Sequence, residues 1–176
     1  MALRHHAVSA IGRDRPGIVA DLAAVLLDLG ANVEDVATSV LRGHFAIMLL
    51  ASAPAEVDRH TLEGALQPLR GADLEIATWE VDAGIEATDA THVLAVYGPD
   101  HTGIVHAVAR ALARLRVNIQ DMVCRLHDGD PPLYVLTVEV AVPGGVEPDG
   151  VRDEVVAAVS GMGLQATLSP VDRTDL

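Results

Sequence analysis

Two short loops in this sequence carry groups from which a small-molecule site can be built. Asp14-Arg15-Pro16-Gly17-Ile18 is followed 86 positions later by Asp100-His101-Thr102-Gly103-Ile104. Each loop runs into an apolar stretch of helical period, and each stretch ends before an asparagine, Asn32 or Asn118. The chemistry this suits is the capture of a free α-amino acid, which offers a carboxylate and an ammonium a few ångströms apart. A helix beginning at Gly17 or Gly103 presents unpaired backbone N–H groups and a partial positive charge to the carboxylate. Glycine at that point lets a ligand approach the backbone closely. Asp14 and Asp100 can receive the ammonium, or they can simply cap their helices. Asn32 and Asn118 bring a donor and an acceptor to the start of the next strand, although asparagine also suits a tight helix-to-strand turn.

The elements that must position these groups repeat as well. Ten of the 25 aligned positions from Gly12 to Val36 are identical to those from Gly98 to Met122. Identical Ile, Val, Ala and Leu residues fall on a helical period, whereas the Gly, Asp and Asn matches fall at helix ends. In the first copy a strand over His5–Ile11 leads to a helix whose first turn suits Pro16 and which buries Ile18, Leu22, Val25, Leu26 and Leu29. Gly30 ends it. Strands over Asn32–Leu41 and His44–Ser52 meet at an Arg42-Gly43 hairpin turn, a helix covers Val57–Leu69, and a strand covers Asp73–Val81. The second copy repeats this order: strand Thr91–Tyr97, helix Gly103–Leu115, hairpin Val117–His127 and Leu133–Val142, helix Val146–Met162, strand Leu164–Val171. Its buried helix face is Ile104, Val108, Ala111, Leu112 and Leu115. The expected fold class is α+β: two ferredoxin-like βαββαβ units, each an antiparallel four-stranded sheet with both helices on one face. Residues 1–82 form the first domain, the small acidic stretch 83–90 a linker, and 91–176 the second domain.

Composition narrows the function classes. The net charge is −13, which opposes an electrostatic grip on nucleic acid or anionic membranes. All 12 basic residues are Arg, so a P-loop lysine and Schiff-base chemistry are excluded. One cysteine, Cys124, fits a reducing compartment, and its mid-strand position reads as a small buried hydrophobe. No apolar run reaches the length of a membrane span, and the N-terminus does not read as a signal peptide, so the expected location is cytoplasmic. The eight histidines show no zinc-ligand spacing; His101 alone faces a candidate loop. No nucleophile elbow, Cys-His pair or glycine-rich phosphate loop is present, so no catalytic residue, metal or cofactor is expected.

With loop and asparagine in place, the chain resembles the ACT domain family of small regulatory amino-acid-binding modules. Asp14-Arg15-Pro16-Gly17-Ile18-Val19 is similar to that family's D-R-P-G-[IL]-[VL] loop, and Gly30-Ala31-Asn32-Val33 to its G-x-N-[IV] segment. Two such units without a catalytic domain most resemble the glycine cleavage system transcriptional repressors. The resemblance implies a non-enzymatic regulator that binds a small amino acid at these loops, controls amino-acid metabolism (glycine and one-carbon), and forms a homo-oligomer. It would act through a protein partner, such as a transcriptional regulator or metabolic enzyme. The competing reading is a structural interaction module without a small ligand, whose strand edges pair with partners. An enzyme fragment has little support, because the chain starts and stops near the repeat boundaries. The second copy departs from the pattern, with Thr102 in place of the proline and Arg116 in place of the glycine. The first site is therefore expected to be the better pre-organised and tighter one.

Overall fold

The computed structural model describes residues 2–71, 73–82 and 88–171. The chain divides into two compact units, Met1–Glu86 and Ala87–Leu176. Of the linker expected at 83–90, residues 83–87 lie outside the described residues.

Unit 1 runs β1 (Leu3–Arg13), α1 (Ile18–Asp28), β2 (Asn32–Leu41), β3 (His44–Pro54), α2 (Arg59–Leu66) and β4 (Leu74–Val81). Its sheet order is β2-β3-β1-β4, with every neighbouring pair antiparallel. Alternation along the strands sends Val8, Ala10, Ile47, Leu49 and Ile76 into one core with Leu22 and Leu26 of α1 and Leu62 and Leu66 of α2. Two short helices thus cover one sheet face, as the period-two and period-3.6 patterns require. The expected helix over Val57–Leu69 is shorter: Asp58 accepts the Thr61 N–H at 2.8 Å and sets its start, and a 3₁₀ turn at Gln67–Leu69, containing Pro68, finishes it. Buried His6 ties β1 to the loop after β3, its Nε2 lying 2.9 Å from the Val57 carbonyl oxygen.

Unit 2 repeats the order as β5 (His92–Pro99), α3 (Ile104–Arg114), β6 (Asn118–His127), β7 (Leu133–Ala141), α4 (Pro148–Val159) and β8 (Gln165–Pro170). Its sheet order is β6-β7-β5-β8, and its core joins Leu94, Val96, Leu136 and Val138 to Ile104, Val108, Leu112, Val151 and Val155. Both units carry a bulge just after the asparagine, between Val33 and Asp35 and between Ile119 and Asp121. In unit 1 the intervening Glu34 reaches back to His5 at 3.3 Å. A hydrogen bond from Ser52, then His5, holds its carboxyl below the usual carboxylate range.

The glycine opening each repeat has a steric reason. A Cβ on Gly12 would lie 1.9 Å from the Asp73 carbonyl oxygen, and one on Gly98 would lie 2.9 Å from Leu164 Cδ2. Only a residue without a side chain lets the loop leave the sheet so close to the last strand.

Candidate functional site

Asp14 through Gly17 connect β1 to α1, and backbone hydrogen bonds pin the start of the connection. The Arg13 N–H donates to the Asp73 carbonyl and the Asp14 N–H to the Gly43 carbonyl, each at 2.9 Å. Pro16 does not lie in the first turn of the helix but precedes its cap. Gly17 is its N-cap, at φ 95° in the left-handed region, and Ile18 is the first helical residue. Pro16 therefore shapes the approach, and the left-handed turn that only glycine adopts freely begins the helix. Gly103, φ 96°, does the same for α3. Neither Asp14 nor Asp100 caps its helix: glycine is the N-cap of each, and neither carboxylate accepts a helix N–H among the described residues. The first N–H groups of α1 and α3 remain available.

Around α1 the loop builds a charged rim. Arg15 folds over the helix start, with Nη2 2.9 Å from Asp21 Oδ2 and Nη1 3.3 Å from the Pro16 carbonyl oxygen. Asp21 thus has a partner within its own unit, as does Arg114, whose Nη1 lies 2.6 Å from Glu154 Oε1. The Asp14 carboxylate has no hydrogen-bond or ion-pair partner among the described residues. Below the rim lies a hollow of about 580 Å³, bounded by Asp14, Arg15 and Gly17 at its mouth. Its walls are Val19, Ala20, Ala23 and Val40, with Phe45 behind them. Phe45 and Val40 were not among the sequence candidates. They belong to the β2–β3 hairpin, and only the pairing of Gly12 with Phe45 brings that hairpin beside the loop.

A second hollow, of about 590 Å³, sits at the same end of the sheet and is mixed in charge, with Arg13, Arg42 and His44 facing Asp73 and Glu75.

The structure gathers Asp14, Arg15, Gly17 and Ile18 about one hollow, with Pro16 in the same turn. It does not bring Asn32 there. Eleven helical residues separate Gly17 from Asn32, roughly 16 Å at the helical rise. Asn32 pairs with Ser52, whereas the loop end of the sheet pairs Arg13 with His44. Helix α1 closes with Gly30 at φ 68°, the Ala31 N–H donating to the Leu26 carbonyl at 2.9 Å, so the asparagine follows a Schellman turn at the far end.

Unit 2 has the same layout with different walls. Asp100, His101, Thr102 and Gly103 are exposed, Ile104 is buried beneath them, and Asn118 again starts the strand beyond the helix. Tyr134 takes the place of Phe45, pairing with Gly98. Burial pushes its phenol up to about 12, helped by the Cys124 thiol and the Asp100 charge beside it. Cys124 itself is exposed, not buried. It lies on β6, an edge strand of the sheet, so mid-strand position did not imply burial. Arg116 holds the left-handed conformation, φ 56°, where Gly30 stands in unit 1. Among the described residues no helix is long and apolar enough to cross a membrane.

Comparison with known proteins locates this arrangement. A family model described as the ACT domain matches residues 6–78. A UPF0237 protein of Methanopyrus kandleri is 46% identical over 61 residues, which cover 34% of this chain and 68% of that protein. The phosphoserine phosphatase SerB2 of Mycobacterium tuberculosis is 32% identical over 142 residues, 78% of this chain but 34% of the enzyme. The chain thus spans about a third of that enzyme's length. Among solved structures, an unknown protein from Galdieria sulphuraria superposes with a TM-score of 0.84 at 28% identity, covering 97% of this chain and 99% of its own. A protein assigned as a glycine cleavage system transcriptional repressor superposes with a TM-score of 0.73 over the same shares. Its identity is 19%, so that likeness is one of fold.

Proposed function

Because the chain belongs to the ACT domain family, we propose that it is a non-enzymatic regulatory protein that binds a free α-amino acid at the loop before α1 and acts through a protein partner. One observation carries this reading. The unpartnered Asp14 carboxylate and the uncapped start of α1 share the mouth of a single hollow of about 580 Å³. Asp14 receives the ammonium; the N–H groups following Gly17, with Arg15 beside them, receive the carboxylate. Pro16 and Ile18 hold the turn. Asn32, roughly 16 Å along the helix, shapes the start of β2 and does not touch the ligand. The second loop, from Asp100 through His101, Thr102 and Gly103 to Ile104, is the equivalent site of unit 2, with Asn118 in the structural role. Control of glycine or one-carbon metabolism draws support only from the fold likeness to a glycine cleavage repressor, and fold alone does not carry a pathway.

Calorimetric titration of the full chain against the twenty amino acids tests the reading. At least one should bind, and Asp14→Asn should weaken it while Asn32→Ala should not. Absence of binding by all twenty overturns it.

A specific observation also favours the interaction-module reading. All ten residues of β2 are exposed, and this strand forms a sheet edge, an unpaired ladder to which another chain can add a strand. The two readings combine if the edge is where the partner, or a second copy in a homo-oligomer, docks.

A further inference from the structure

We infer that the ligand of unit 1 is an amino acid with an apolar side chain, of the size of valine, leucine or phenylalanine, and not glycine or serine. The inference rests on the amino-acid-binding reading above and identifies which amino acids that site takes.

The hollow separates by chemistry into two zones. Its charged groups, Asp14 and Arg15, lie on the loop beside Gly17, and their signs match the two charges that every α-amino acid carries, Arg15 also pairing with Asp21. Its walls carry none. Val19, Ala20, Ala23 and Val40 line them, and Phe45, 6% exposed, lies behind. Val19 and Val40 are about half exposed, at 47% and 55%, so they offer water an apolar surface that a ligand side chain would cover. Alanine at positions 20 and 23, one turn apart on α1, leaves room next to the loop that a larger residue would fill. A volume of about 580 Å³ falls within the usual range of small-molecule sites, roughly 300–1,000 Å³. Glycine would engage the mouth and leave the walls wet. Serine would bring a hydroxyl to walls without a side-chain partner for it.

Unit 2 provides an internal contrast. Ala20 is replaced by His106, and Phe45 by Tyr134, whose hydroxyl lies beside the Cys124 thiol. Asp100 is kept, and Val105, Ala109 and Leu126 keep the other wall positions apolar, but His106 and the Tyr134 hydroxyl add two polar groups that unit 1 lacks. A wall without any polar side chain is thus found in unit 1 and not at the matching positions of unit 2.

The test is calorimetry on the full chain with valine, leucine, phenylalanine, glycine and serine, repeated on Ala23→Glu and Val40→Thr. Partial burial of a leucine-sized side chain predicts binding at least about tenfold tighter than glycine. Ala23→Glu, an exposed helix position, should reduce leucine affinity at least about tenfold, and Val40→Thr by a smaller factor. Trp79 fluorescence confirms that each variant is folded. Glycine or serine binding as tightly as leucine overturns this inference and leaves the amino-acid-binding reading standing. Leucine affinity unchanged in both wall variants also overturns it. Failure of all five amino acids and of the remaining fifteen removes both.

Discussion

The tightest steric constraint near the candidate site is the crossing of Gly12 and Asp73, and it makes a quantitative prediction. In Gly12→Ala the new Cβ would sit 1.9 Å from the Asp73 carbonyl oxygen and 2.9 Å from Leu74 Cα. Both neighbours are backbone, so no side-chain rotation relieves the clash. β1 and β4 must separate by more than about 1 Å at this end to restore ordinary contact. Separation loses the Arg13 N–H bond to Asp73, about 1 kcal/mol net, and strains the packing of buried Leu74, about 1–3 kcal/mol. The expected destabilisation is therefore about 2–4 kcal/mol. Gly64→Ala is the matched control. Gly64 lies inside α2 with nothing within 4 Å of an added Cβ, so the same chemical change should stabilise by about 0.5–1 kcal/mol. Trp79, the one tryptophan, lies on β4, and its fluorescence in a urea titration follows unit 1 directly. Gly12→Ala should lower the midpoint at unchanged slope, and Gly64→Ala should raise it. If the two variants shift the midpoint in the same direction, or if Gly12→Ala is neutral, the close approach of Gly12 to Asp73 does not constrain the fold.

Three further outcomes are expected. Arg116→Gly relieves a left-handed residue at φ 56° and should stabilise unit 2 by about 0.5–1 kcal/mol in calorimetric melting, the relief exceeding glycine's added chain entropy. Asp58→Ala removes the cap of α2. The Thr61 hydrogen bonds hold the Asp58 carboxyl below its ordinary range, so the lost stability is present above about pH 4 and closes as pH falls through the depressed folded value, as acid-to-neutral denaturation midpoints would show. Tyr134, pushed up to about 12, favours its neutral form in the folded state, so its contribution is present below the ordinary phenol value near 10 and lost as pH rises towards 12. An alkaline absorbance titration should show this late step, and Tyr134→Phe should abolish it.

Local pattern was enough for the order of elements, the two-fold repeat and the helix cores. Ile18, Leu22 and Leu26 are buried where a 3.6-residue period puts them, and hydrophobic periodicity is a local property that survives without knowledge of neighbours. The loop over Asp14 to Ile18 was legible as a helix entry, since glycine beside an acid before an apolar helical period marks a helix start. Three matters depended on tertiary structure. Asp14 was free to cap α1 by sequence, but the left-handed Gly17 made itself the N-cap and left the carboxylate without a partner. Cys124 had the surroundings of a buried strand residue, but strand order made β6 an edge. The walls of the hollow come from Ala20 and Ala23 on α1 and from Val40 and Phe45 some twenty residues further along. Sequence spacing says nothing of how near Phe45 comes to that hollow. Strand register settles it, because antiparallel pairing brings the hairpin turn back to the loop, while the length of the helix carries the asparagine away to the opposite end of the sheet.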